Sequence, residues 1–222
     1  MKEIIVLDND GVLVDSIGET IPMCFRIAQG MGLNLDEHFS VFLRSLWGKP
    51  LDHIFSSLRD HYGWTEAEKA EYSRRFRMND DNHCPPLISG VVAAIIKMRE
   101  KHTLCLLTNR NTREIGYAFS SKVLHPDWFE LVQACDSGLP AKPDPRALLR
   151  IMQMAGGKRI VYIGDSAVDD WKLIQNAQEA YPTQEFSFFG VLTGMSTREQ
   201  FLQAGLDDVN IFYDLRMATK AL

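Results

Sequence analysis

The sequence predicts an α/β fold: a Rossmann-like, doubly wound parallel sheet that carries an inserted α-helical domain. Short apolar runs alternate with amphipathic helical segments from about residue 86 onward. A further apolar run at residues 3–7 precedes a block of helical periodicity that extends to residue 85. Alternating short strands and helices are typical of a parallel sheet covered on both faces. We therefore expect residues 1–15 and 86–222 to form the α/β core and residues 16–85 the insertion.

The insertion is predicted to be helical because its apolar residues recur at helical spacing. Four segments show this pattern: IGETIPMCFRIAQGMGL, DEHFSVFLRSLW, PLDHIFSSLRDHYGW and TEAEKAEYSRRFRM. The proline that opens the third segment suits the first turn of a helix. Thr65 and Glu68 in the fourth segment have the spacing of a capping box. These features predict four helices and no strand.

The core is predicted from strands and helices that alternate along the chain. After the N-terminal run, strands are predicted over TLCLLT, LVQACD, RIVYIGD, FSFFGVL and DVNIFYDL. Helices are predicted over SGVVAAIIKMREK, TREIGYAFSSKVL, DPRALLRIMQMAG, DDWKLIQNAQEA and TREQFLQAG. The strands are almost continuously apolar, as expected for strands buried on both faces of a parallel sheet.

Composition excludes several classes of function. The chain has 24 Lys and Arg against 29 Asp and Glu, a net charge of −5, so it lacks the basic surplus that nucleic-acid binding requires. The sequence has no run of about 18 apolar residues, the length that a membrane-spanning helix requires. The N-terminal run is short, ends in acids and does not resemble a signal peptide. The four cysteines are scattered, as in a protein with reduced thiols. We therefore expect a cytoplasmic protein.

Carboxylates stand at the ends of two predicted strands. In IIVLDND, Asp8 and Asp10 are two residues apart, so in extended chain their side chains lie on the same face. Gly11 then allows a sharp turn. In VYIGDS, Asp165 ends another strand and Asp169 begins the next helix. Since ligands bind beyond the carboxyl ends of parallel strands, these acids are expected to meet.

A cluster of four carboxylates requires a counter-charge. A hard divalent cation with oxygen ligands, most plausibly Mg²⁺, supplies it. A lone D-x-D is usually a solvated loop, and the spacing of an EF-hand loop does not fit this segment. The functional interpretation depends on the combination: acids at two strand ends, Thr108 at a third and Lys142 in the segment between them.

Four segments together resemble the signature motifs of the haloacid dehalogenase superfamily. They are DNDGVLVDS, LLTNR, AKPDP and GDSAVDD, and they occur in that family's order. The insertion occupies the position of the family's small helical cap. The segment FFGVLTGMSTREQFLQAGLDDV further resembles the C-terminal part of bacterial phosphoglycolate phosphatases.

The resemblance implies phosphoryl transfer through an aspartyl-phosphate, with Mg²⁺ as cofactor. Asp8 corresponds to the nucleophile, and Asp10 to the acid that protonates the leaving oxygen and later deprotonates water. The carboxylates of Asp8 and Asp165, with the backbone carbonyl of Asp10, would bind the metal. Asp169 would orient the metal's waters or the lysine of the third motif. Asp170 is expected only to favour the helix dipole.

The resemblance also assigns the groups that contact the phosphate. Thr108 would bind phosphate oxygens through its hydroxyl, assisted by Asn109 and by the amide of Gly11. Lys142 would offset the charge that develops during transfer. Alone, each of these residues would be expected to play a local structural role.

Substrate contacts are expected from the cap, in the segment LRSLWGKPLDHIF. The candidates are Arg44, Trp47 and Lys49, for each of which packing or solvent exposure is the competing interpretation. In the β-phosphoglucomutase branch a lysine, an arginine and a histidine occupy positions that here hold Trp47, Leu51 and Thr20. This departure favours hydrolysis over mutase action.

The expected function is therefore Mg²⁺-dependent hydrolysis of a small phosphorylated metabolite, such as phosphoglycolate or a sugar phosphate. The alternatives are a phosphomutase and a non-catalytic relative that binds a phosphorylated ligand. No nucleic-acid or membrane partner is expected. A monomer is expected, with a homodimer as the alternative.

Overall fold

The computed structural model describes residues 3–46, 51–80 and 84–222. It divides into two compact units, one formed by Met1–Asp15 and Pro86–Leu222, the other by Ser16–Pro85. Each unit has its own apolar core and is described by itself. Among the described residues, none of the helices combines the length and apolar character that crossing a bilayer requires.

The smaller unit is helical, as the periodicity predicts. Its helices are α1 (Ser16–Gly30), α2 (Phe39–Leu46), α3 (Leu51–Tyr62) and α4 (Glu66–Asp80). The predicted capping box begins α4: the Glu68 amide donates to Thr65 Oγ1 at 3.2 Å, and the Thr65 amide donates to Glu68 Oε2 at 2.7 Å. Aromatic rings fill the interior, with Phe55 packed edge-on against Tyr72 and Phe76.

The larger unit contains a parallel six-stranded sheet, which confirms the predicted fold class. Its strands follow the spatial order β3-β2-β1-β4-β5-β6. The strands are β1 (Ile4–Leu7), β2 (Thr103–Leu107), β3 (Leu131–Gln133), β4 (Ile160–Gly164), β5 (Phe186–Val191) and β6 (Ile211–Phe212). The chain builds outward from β1 to β3 on one side and from β4 to β6 on the other. The order therefore reverses between β1 and β4, where open α/β sheets bind their ligands.

Helices follow the strands of this unit. They are α5 (Val91–Lys101), α6 (Thr112–Ser120), α7 (Leu149–Ala155), α8 (Lys172–Ala180), α9 (Arg198–Gln203) and α10 (Leu215–Ala218). The last of these, α10, is not predicted by the sequence. A π-helical turn over Ala167–Trp171 joins β4 to α8, where a regular helix start is predicted. In this turn, the amides of Asp170 and Trp171 both donate to the Ser166 carbonyl.

Two leucines of this unit allow a matched test of its core. Leu173 on α8 is 0% exposed, whereas Leu202 on α9 is 43% exposed. We expect Leu173→Ala to lower the free energy of unfolding by about 2–5 kcal/mol, since it removes buried apolar surface and leaves a cavity. Leu202→Ala should cost far less. Urea denaturation followed by circular dichroism measures both, and equal losses would contradict the assigned core.

Candidate active site

The predicted functional residues of the core gather at one edge of the sheet. Asp8, Thr108 and Asp165 each follow the last residue of a strand: β1, β2 and β4. Leu7 is in register with Leu106 and with Ile163, so the three strand ends are level. All three side chains belong to buried residues. The topological switch point therefore holds two carboxylates and a hydroxyl.

Lys142 lies at the centre of this group. Its Nζ is 2.8 Å from Asp8 Oδ1 and 2.6 Å from Asp170 Oδ1, and the Lys142 side chain is 2% exposed. It also donates to the Tyr162 hydroxyl at 3.1 Å. Burial opposes the ammonium charge, but Asp170 and Asp8 outweigh it and raise the pKa of Lys142 well above its usual value. Lys142 is thus a fixed positive charge beside the predicted nucleophile.

The acidic groups outnumber this lysine. Carboxylate oxygens of Asp8, Asp165 and Asp170 lie within 4.8 Å of one another, and all three residues are buried. When the three are ionised, the ammonium of Lys142 leaves two negative charges unbalanced. Buried oxygen ligands with this excess suit a hard divalent cation, so the residues present fit Mg²⁺.

The pKa values of these carboxyl groups reflect the crowding. Burial raises the pKa of Asp8 from 3.8 to about 8, against the opposing effect of Lys142, and Asp170 and Asp10 add to the rise. Burial raises the pKa of Asp165 well above its usual value, and the negative charges of Asp170 and Asp8 raise it further. A bound cation would favour the ionised form of both groups.

Asp170 contacts Lys142, so the expectation that it only favours the helix dipole is wrong, whereas a role of Asp169 toward the metal's waters stays a prediction. Asp170 is 0% exposed. Its Oδ1 accepts from Lys142 and from the Tyr162 hydroxyl, and its Oδ2 accepts from the amides of Asp165 and Ser166, both at 3.1 Å. The π-helical turn brings residue 170 inward and leaves Asp169 half-buried. Because four donors already occupy it, Asp170 suits lysine orientation better than metal binding.

The second motif holds its neighbours by local contacts. Thr108 is 1% exposed, and its Oγ1 accepts from the Arg110 amide at 3.1 Å, which leaves its hydroxyl proton available to a ligand. Asn109 Oδ1 accepts from the Lys142 amide at 2.9 Å, and Asn109 Nδ2 donates to the Lys142 carbonyl at 3.2 Å. The Asn109 side chain thus fixes the backbone of Lys142, and its assistance to phosphate binding stays a prediction.

Gly11 permits close packing against the Asp165 carboxylate. Its φ is +69°, which favours glycine, and its amide donates to the Val14 carbonyl at 2.9 Å. This contact occupies the amide, and its expected role in phosphate binding stays a prediction. A Cβ at Gly11 would fall on the Asp165 carboxylate, and so would one at Gly194 in the loop after β5. The next amide of that loop, from Met195, donates to Asp165 Oδ2 at 2.7 Å.

Asp10 contacts a residue that the sequence analysis missed. Its carboxylate accepts from Arg110 Nε and Nη2 at 2.8–3.1 Å. Tyr162 was missed as well, although a tyrosine in a buried strand needs a partner for its hydroxyl. Arg110 could have been noticed because it is part of LLTNR itself.

The three predicted substrate contacts of the smaller unit are described only in part. Arg44 is exposed on α2. Trp47 and Lys49 lie outside the described residues. The roles of these three residues stay predictions.

The raised pKa of Asp8 predicts a pH-dependent stability of the metal-free protein. Because the folded pKa of about 8 exceeds the usual 3.8, the folded state retains a proton that the unfolded state loses, and stability falls as pH rises between these values. In EDTA, the Tm of the wild type should fall more between pH 5 and 8 than that of Asp8→Asn. Thermal unfolding followed by circular dichroism measures this difference.

A matched control is Asp127→Asn, which changes an exposed aspartate of the same unit. Its Tm should follow that of the wild type across the pH range. Addition of Mg²⁺ at pH 8 should raise the Tm of the wild type, because a cation that binds the folded state stabilises it. Identical pH slopes for the wild type and Asp8→Asn would contradict the electrostatic description.

Comparisons with known proteins agree with this geometry. The family model "haloacid dehalogenase-like hydrolase" matches residues 2–177. A phosphoglycolate phosphatase of Rhodobacter capsulatus is 25% identical over 189 residues, 81% of each chain. A predicted phosphoglycolate phosphatase from Haemophilus somnus superposes with a TM-score of 0.75 at 18% identity, covering 99% of this chain and 97% of its own. A protein assigned as a β-phosphoglucomutase, from Thermotoga maritima, gives 0.72 at 19% identity with the same coverage. The chain belongs to the haloacid dehalogenase-like hydrolases.

Proposed function

We propose that this hydrolase is a Mg²⁺-dependent phosphatase that acts on a small phosphorylated metabolite through a phosphorylated Asp8. The observation that supports the proposal is the buried group formed by Asp8, Asp165 and Asp170 around Lys142 at the switch point of the sheet. A carboxylate that attacks phosphorus needs its own charge and that of the phosphate offset, and this group is suited to both tasks.

The proposed reaction has two displacements. Asp8 attacks the phosphorus atom, the bond to the leaving oxygen breaks, and Asp10 donates its proton to that oxygen. Water then attacks the phosphorus of phosphorylated Asp8 and transfers a proton to Asp10, which releases phosphate and restores both carboxyl groups. Mg²⁺ held by Asp8, Asp165 and the Asp10 carbonyl would offset negative charge on the carboxylates and phosphate oxygens.

The remaining residues of the site orient and stabilise the reacting groups. The Thr108 hydroxyl would donate to a phosphate oxygen. Lys142 would balance the charge that builds up on the phosphoryl group, and its ammonium is already placed 2.8 Å from Asp8 Oδ1. Asn109 and Asp170 hold that lysine from its backbone and its ammonium, respectively. Both would therefore act through Lys142.

The smaller unit, residues 16–85, is proposed to be a cap that selects the substrate. Arg44, Trp47 and Lys49 are its proposed substrate contacts. The similarity to a phosphoglycolate phosphatase supports a small phosphomonoester such as phosphoglycolate, and a sugar phosphate is the related candidate. We further propose a cytoplasmic monomer without nucleic-acid or membrane partners.

The proposed function predicts phosphate release that depends on Mg²⁺ and on Asp8. Purified protein should release phosphate from members of a panel of phosphorylated metabolites with Mg²⁺ and not with EDTA. Asp8→Asn should reduce turnover by several orders of magnitude because it removes the nucleophile. Asp127→Asn is the control and should retain turnover. Isomerisation of a hexose 1-phosphate with little release would indicate a mutase, and wild-type turnover in Asp8→Asn would refute the mechanism.

The position of Asp170 predicts unequal effects of two neighbouring substitutions. Asp170→Asn should reduce kcat strongly, because the ammonium of Lys142 loses an ionic partner 2.6 Å away. Asp169→Asn changes the half-buried neighbour, whereas the ammonium of Lys142 is bonded to Asp170, so this substitution should reduce kcat far less. Steady-state kinetics on the best substrate of the panel compares them. A larger loss in Asp169→Asn would contradict the assignment of Asp170 to the lysine.

A further inference from the structure

Arg110 binds the carboxylate of Asp10 in a bidentate arrangement. Its Nε lies 2.9 Å from Asp10 Oδ2 and 3.1 Å from Oδ1, and its Nη2 lies 2.8 Å from Oδ1. The two side chains are 17% and 30% exposed, so water competes only in part for this contact. A planar guanidinium that contacts both oxygens fixes the rotation of the carboxylate as well as its position.

Groups other than Asp10 contact both the backbone and the guanidinium of Arg110. The Arg110 amide donates to Thr108 Oγ1 at 3.1 Å, and its carbonyl accepts from the Cys135 amide at 3.0 Å. Nη1 lies 3.4 Å from Glu114 Oε1. Glu114 is fixed in turn, since it forms a capping box with Asn111 at the start of α6. Arg110 therefore links Asp10 to the rigid beginning of a helix.

Asn9 contacts the same carboxylate from the other side. Its Nδ2 donates to Asp10 Oδ2 at 3.2 Å, the longest of these contacts and the one with a neutral donor. Asn9 Oδ1 is buried and has no hydrogen-bond partner within the described residues. Arg110 and Asn9 together place two nitrogens near each oxygen of Asp10. Of these contacts, the one from the neutral amide of Asn9 is the least costly to exchange for a contact to a ligand.

We infer that Arg110 is a positioning residue for Asp10, which holds the acid–base carboxylate in the orientation that proton transfer to the leaving oxygen requires. The inference rests on the proposed function, because it is Asp10 that would carry the proton. General acid catalysis needs the donor oxygen within about 2.6–3.2 Å of the acceptor. A carboxylate that rotates freely meets this condition for a smaller fraction of the time. Arg110 would thus raise kcat without contacting the reacting atoms.

The test compares two classes of substrate. Leaving groups that are stable as anions, such as p-nitrophenolate, need little protonation, whereas an alkoxide needs a proton. Arg110→Met should lower kcat on an alkyl phosphate by on the order of 10–100-fold, and on p-nitrophenyl phosphate by less than about threefold, with little change in KM. Arg110→Lys should recover only part of the loss. It restores the positive charge, but an ammonium group cannot bind both oxygens of Asp10 as a guanidinium does.

Two further variants separate positioning from a general structural effect. Arg216→Met removes another arginine that pairs with an aspartate, Asp214 beside α10, and should leave the ratio of the two activities unchanged. In an Asp10→Asn background, Arg110→Met should cause no further selective loss on the alkyl phosphate, since there is no acid left to position. Circular dichroism checks that each variant folds, and Arg110→Lys decides the question should Arg110→Met fail to fold.

The outcomes distinguish this inference from the function on which it rests. Equal losses on both substrates, or a selective loss that persists without Asp10, would overturn the role of Arg110 while leaving the phosphatase intact. A wild-type protein without turnover on any substrate would overturn the proposed function and the inference together. A selective loss that disappears in the Asp10→Asn background supports both.

Discussion

The buried ion pairs of Lys142 are the interaction on which the site depends. The lysine's ammonium lies between Asp8 and Asp170, and the side chains of all three are less than one-tenth exposed. Each comes from a different part of the sheet: Asp8 from the end of β1, Lys142 from the loop after β3 and Asp170 from the turn after β4. Removal of one partner from such a group leaves a buried charge uncompensated, which is far more costly than the pair is stabilising. The ammonium of Lys142 thereby connects the segments that follow β1 and β4.

The same buried carboxylates lower the stability of the fold and make the site suited to bind a cation. Carboxylates held within 4.8 Å of one another repel, and burial keeps water from relieving that repulsion. The chain nevertheless packs tightly around these carboxylates. Gly164 lies directly against the Asp170 side chain, and Gly194 against the Asp165 carboxylate, so a methyl group at either position would displace an acid. Clustered like charges that a stable fold would avoid are the feature that makes a site ready for a cation and an anionic substrate.

The fold could be predicted from the sequence because periodicity and strand-end residues are local signals. The helical block, the parallel sheet and the meeting of Asp8, Thr108 and Asp165 all follow from them. The strand β6 lies within the predicted segment DVNIFYDL, whereas the four-residue helix α10 is too short to carry a period. The choice between Asp169 and Asp170 depends on a π-helical turn, which no spacing rule for regular helices anticipates. Arg110 belongs to the segment LLTNR, but its contact with Asp10 could not be predicted from local spacing because the two residues are one hundred positions apart.

The structure explains why two acids stand only two residues apart at the end of β1. Asp8 and Asp10 both follow β1, but different basic side chains pair with them: Lys142 with the first and Arg110 with the second. Their environments also differ, since the side chain of Asp8 is 8% exposed and that of Asp10 is 30% exposed. In the proposed reaction the nucleophile must be ionised and the acid must exchange a proton, so the two groups need different environments. Separate counter-ions would allow the two carboxylates to perform the different steps of the proposed reaction.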